Sequence, residues 1–97
     1  MEIRTICDEI AQIIEKMFYG QIEFKYDNLM CATKPGHPAE ILDEILSIIG
    51  WDVFADKTPE KENIEKMLIE LKEYVKVFKV KELKKPMADL KEYLKNA

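Results

Sequence analysis

Ile3, Ile6, Ile10, Ile13 and Met17 follow one another at steps of three, four, three and four residues. Only an α-helix, at 3.6 residues per turn, brings such a series onto one face. Cys7, Ile14 and Phe18 flank the stripe, and Glu2, Asp8, Glu9, Glu15 and Lys16 fall mostly off it, so the spacing predicts a helix over 2–19. Gly20 follows and suits the left-handed residue that ends a helix. A second stripe, Ile64, Leu68, Leu71, Val75 and Phe78, steps by four, three, four and three. The spacing matches a coiled-coil seam, but each run is too short to form one.

Between the stripes the period changes. Gln21-Ile22-Glu23-Phe24-Lys25-Tyr26 alternates polar with apolar and reads as a half-buried strand. Asp27-Asn28 supplies a turn, and 29–33 returns as the second strand of a hairpin. Lys34-Pro35-Gly36-His37-Pro38 is a loop. Pro38 opens a second helix, whose broad apolar face is built from Ile41, Leu42, Ile45, Leu46, Ile48 and Ile49. Gly50 is expected to close it, with Trp51 folding back on Leu46.

The short apolar run 51–55 reads as a strand. Thr58-Pro59-Glu60 has the makings of a helix start: a hydroxyl cap, proline first, then an acid. From Pro59 the chain forms either one helix to about residue 79, or a helix to about 73 feeding a strand over 74–80. The β-formers in Tyr74-Val75-Lys76-Val77-Phe78-Lys79-Val80 favour the strand. Pro86 starts a last helix with Met87, Leu90, Tyr93 and Leu94 inward. The expected fold is a single α+β domain over 1–97, mainly helical, with a β-hairpin and one or two further short strands. The alternative is an all-α bundle with a small hairpin.

Fifteen basic and nineteen acidic residues give a net charge of −4. That disfavours a dedicated binder of nucleic acid or anionic membrane, whose affinity comes from excess Lys and Arg. The charge is polarised: residues 1–71 carry seven bases and fifteen acids, whereas 72–97 carry eight bases and four acids. No apolar run approaches a membrane span and the N-terminus lacks the apolar core of a signal peptide, so a soluble cytoplasmic protein is expected. Cys7 and Cys31 read as reduced, buried thiols.

Catalytic side chains are scarce. Ser47 lies about 15 Å along its helix from His37, which removes a Ser-His pair. Cys31 and His37 could meet as nucleophile and base, but no orienting third residue stands out. Cys7, Cys31 and His37 match no recurrent zinc spacing. Asp52 and Asp56, on a strand, stand about 13 Å apart and cannot share an ion. The expectation is a protein without enzymatic activity, metal or cofactor.

Three surfaces remain. The stripe Ile3, Ile6, Ile10, Ile13, Met17 is a candidate contact with a protein partner or a second copy, making the chain a regulatory subunit or homodimer. Tyr74, Lys76, Phe78, Lys79, Lys81, Lys84 and Lys85 interleave aromatics with bases, as single-strand nucleic-acid binders do. Thr33, Lys34, Gly36 and His37, before a helix N-terminus, form a candidate anion or nucleotide site. Protein contact is the leading reading and the other two are its alternatives.

Overall fold

The structure, a computed structural model, describes residues 2–25 and 37–96. The described residues form four α-helices: α1 (Ile3–Phe18), α2 (Pro38–Phe54), α3 (Lys61–Phe78) and α4 (Lys84–Asn96), with one 3-10 turn (Lys81–Leu83) leading into α4. No strand occurs among the described residues. Helix α1 packs on α2 and α4, α2 on α3, and α3 on α4, which closes a ring of four helices around one core. The α+β expectation is therefore corrected to an all-helical bundle. The turn at 27–28 and the return strand at 29–33 lie outside the described residues.

The α1 stripe performs as its spacing requires. Ile6, Ile10, Ile13 and Met17 are buried and Ile3 packs half-buried at the edge of the same core. Gly20 ends the helix with φ +67°, its N–H donating to the Met17 carbonyl (3.2 Å) while the Gln21 N–H donates to Lys16 (2.9 Å). This pair of bonds satisfies carbonyls that the last turn would otherwise leave unpaired.

Segment 21–25 is not a strand. Ile22 is buried and Phe24 half-buried between exposed neighbours, so the alternation identifies the inward residues correctly. What it lacks is a ladder. Apart from the Gln21 bond that ends α1, its backbone contact with the bundle is one bond, from the Lys25 N–H to the Phe78 carbonyl (2.8 Å), at the C-terminal end of α3.

Gly50 does not close the second helix, and 51–55 is not a strand. The chain stays helical because Val53 continues the buried series Leu42, Ile45 and Ile49, and burying Val53 outweighs the roughly 1 kcal/mol that an interior glycine costs. Trp51 accordingly points to solvent, 78% exposed, and does not fold back on Leu46. The left-handed terminator is Asp56 (φ +58°), with the Asp56 and Lys57 N–H groups donating to Val53 (3.1 Å) and Asp52 (2.8 Å). A Cβ at Gly50 or at Gly20 would meet nothing within 4 Å, so backbone conformation alone decides the effect of alanine at either position. Gly50→Ala should stabilise the protein by about 0.5–1 kcal/mol and Gly20→Ala should destabilise it by about 1–2 kcal/mol, read from urea unfolding followed by circular dichroism.

The strand expected over 74–80 is also replaced by helix. Tyr74 and Phe78 are one turn apart, fully buried, with ring centroids 4.8 Å from each other. Burying two aromatic rings is worth several kcal/mol, against a few tenths for each β-branched residue held in a helix. Val80 reaches the core by another route: Lys79 takes a left-handed conformation (φ +57°), turning the chain so that Val80 points back inside. The start of α3 is shifted as well. Glu60, not Thr58, is the N-cap, and Pro59 is buried just before the helix. In α4 the inward set Met87, Leu90, Tyr93 and Leu94 packs on the core as its spacing requires.

Candidate functional site

His37 is the only histidine, and its ring is held in place at the start of α2. Its Nδ1 accepts a hydrogen bond from the Ala39 N–H (3.0 Å), capping the helix. The ring stacks on Phe18 (centroids 5.3 Å, interplanar 22°) and meets Phe24 edge-on (5.9 Å, 77°). The next carbonyl, that of Pro38, accepts from the buried Tyr74 hydroxyl at 2.8 Å. His37 thus clamps the end of α1 to the start of α2. One of the free N–H groups that an anion would use there is taken by His37 itself. The other three residues of that candidate site, Thr33, Lys34 and Gly36, lie outside the described residues, as does Cys31.

Cys7 is separated from this point. It lies eleven residues before Phe18 on α1, about 16 Å along the axis. Its thiol is free and buried, and burial, with the negative charge of Asp8 added, pushes its pKa from 9.0 up to about 11. Such a thiol is a poor nucleophile at neutral pH. Because the folded value lies above the unfolded one, the stability Cys7 contributes is present below pH 9 and falls as pH rises through about 11. The stability difference between wild type and Cys7→Ala should therefore hold constant up to pH 9 and shrink by about 1 kcal/mol per unit beyond it. Urea titrations of both proteins across that range check it.

Asp52 and Asp56 do not form a site either. Asp52 is on α2, whereas Asp56 lies beyond its end and pairs with Arg4 at 2.8 Å. Ser47 donates to the Glu44 carbonyl on its own helix. No group of three or more His, Cys, Asp or Glu is placed to hold a metal ion among the described residues.

The basic segment divides in two. Tyr74 and Phe78 are wholly inside the core, so neither offers a face on which a base could stack. Lys85 is paired with Glu9 of α1 (2.9 Å), whose hydrogen bond and charge raise the ammonium pKa. Lys76, Lys79, Lys81 and Lys84 remain, exposed, around a shared hollow.

The stripe Ile3, Ile6, Ile10, Ile13 and Met17 is inside this chain's own core and is not an outer surface. A different face is exposed. Helix α2 contains no Lys, Arg or His, and four acids: Glu40, Asp43, Glu44 and Asp52. With the helix running through Gly50, Glu40, Glu44, Ser47, Trp51 and Phe54 step by four, three, four and three along its outer side. Trp51 and Phe54 are 78% and 82% exposed, two large rings one turn apart. The 4-3-4-3 spacing is present in the sequence. Ending the helix at Gly50 hides it.

No family model, no curated protein and no solved structure matches the chain. Among the described residues, no helix is long and apolar enough to cross a membrane.

Proposed function

We propose that the protein is a binding module without catalytic chemistry, which docks a basic, amphipathic segment of a protein partner on the outer face of α2. The observation that carries this reading is the exposed Trp51–Phe54 pair at the end of a helix bearing four acids and no base. Exposed aromatic pairs are costly to keep in water, and aromatic rings supply most hot spots of protein interfaces. Beside them Glu40, Asp43 and Glu44 would face Lys or Arg of the partner, setting orientation and speeding encounter.

A second copy fits this face poorly. Two α2 helices laid together would bring acid against acid, and like charges across an interface are strongly disfavoured. The reading of His37 as a helix cap and of Cys7 as a packed, proton-retaining thiol supports binding over catalysis. Titrating the isotope-labelled protein with an amphipathic helical peptide of leucine and lysine tests the reading by NMR. Amide shifts should cluster at 40–54 and should be absent with a leucine–glutamate peptide. Shifts confined to the other helices would refute it.

A further inference from the structure

We propose that Lys76, Lys79, Lys81 and Lys84 form a binding site for a small oligophosphate anion, at the corner where α3 passes through the 3-10 turn into α4. The four residues, with Val75 and Val80, line a cavity of about 300 Å³. That volume is at the lower end of the range for small-molecule pockets. The lining contains no carboxylate. None of the four ammonium groups makes an ion pair or hydrogen bond with another described residue. This contrasts with Lys85, the neighbouring lysine, which is neutralised by Glu9. Four like charges gathered around one hollow repel each other, and a multiply charged anion placed among them relieves all of that repulsion at once.

Backbone conformation adds a second observation. Lys79 is one of two non-glycine residues at positive φ among the described residues. A lysine there costs about 1 kcal/mol relative to glycine, the residue that position favours. Strain of this kind is commonly retained where the side chain has a task. The conformation returns Val80 to the core while both Lys79 and Val80 line the cavity.

The chemistry favours a compact anion over a polynucleotide. Lysine ammoniums bind phosphate as point charges and need no fixed angular geometry. The aromatic rings that would stack on bases, Tyr74 and Phe78, are buried. The acidic remainder of the molecule repels a long polyanion but scarcely affects a small one held within a Debye length of the lysines. The site contains no residue of α2 and is independent of the docking face proposed above.

The test is NMR titration of the full chain with inorganic pyrophosphate and tripolyphosphate, against potassium chloride at matched ionic strength. Saturable shifts at 75–84 are expected, tighter for tripolyphosphate, and weakening as salt rises from about 20 to about 200 mM. Lys76→Glu and Lys84→Glu should each weaken binding at least about fivefold, while Lys66→Glu, an equal charge change elsewhere on α3, should alter it less than about twofold. Lys79→Gly separates binding from folding: the variant should be at least as stable as wild type and yet bind more weakly. Equal losses in Lys66→Glu and Lys84→Glu would reduce the effect to net charge and overturn the proposal. So would unchanged affinity in Lys79→Gly, or shifts produced by a single-stranded oligonucleotide and not by the small phosphates.

Discussion

Replacing Phe78 by alanine is expected to lower the unfolding free energy by about 3–5 kcal/mol. Phe78 is fully buried against Tyr74 in the last turn of α3, and its carbonyl receives the Lys25 N–H at 2.8 Å. Removing the ring opens a cavity in the core beside Tyr74. A domain of this size has only about 5–15 kcal/mol in total, so the variant should unfold at much lower urea with its m-value little changed. Two companions define the cause. Tyr74→Phe keeps the ring and removes the hydroxyl that donates to the Pro38 carbonyl, and should cost about 1–3 kcal/mol by leaving that carbonyl without this donor. Val77→Ala, at a half-buried position of the helix, should cost less than about 1 kcal/mol because alanine is the better helix former. A large loss at Val77 with a small one at Phe78 would reverse the burial pattern and contradict the helical account of 74–78.

Replacing both Trp51 and Phe54 by serine should leave the fold intact and strongly weaken the docking proposed for α2. Both rings are mostly in water, so stability should move by no more than about 0.5 kcal/mol. Docking on the α2 face, by contrast, should weaken at least about a hundredfold, since burying each ring contributes roughly 1.5–3 kcal/mol to association. Reversing the charge of Asp43 and Glu44 to lysine should act differently, lowering the association rate and reducing its dependence on salt more than it raises dissociation. The contrast between the two variants separates an aromatic anchor from electrostatic steering.

Much of this bundle is written in residue spacing. The α1 stripe, its Gly20 terminator, the inward positions of α4 and the alternating burial of Ile22 and Phe24 all follow from local pattern. The departures from that pattern share one cause: residue type marks where a chain is able to reverse, while the tertiary core decides where it does. Gly50, the apparent stop, lies inside α2 because Val53 has a place in the core one turn further on. The left-handed residue that ends α2 is Asp56, six residues beyond Gly50, and the one that ends α3 is Lys79, a residue with no strong claim to it from propensity. The β-formers of 74–80 yield to the burial of Tyr74 and Phe78, whose neighbours belong to distant parts of the chain.

The candidate sites depend on the same cause. The stripe Ile3, Ile6, Ile10, Ile13, Met17 looks like a contact surface when read alone, and α2 and α4 cover it once the ring closes. The Trp51–Phe54 face is invisible with 51–55 as a strand, which sets Trp51 and Phe54 on opposite sides. The basic segment is legible as charge, but not as geometry: only the left-handed turn at Lys79 brings Lys76 of α3 toward Lys81 and Lys84 around one hollow.

Trp51 is the only tryptophan in the chain, so its fluorescence reports on the proposed docking face without a label. In the free protein the indole is largely in water and should emit at long wavelength. Adding the leucine–lysine peptide should shift that emission to the blue along a saturable curve, and Phe54→Ser should weaken the curve. If the peptide binds while Trp51 emission stays fixed at its solvent-exposed value, the docking proposed for the outer side of α2 is contradicted.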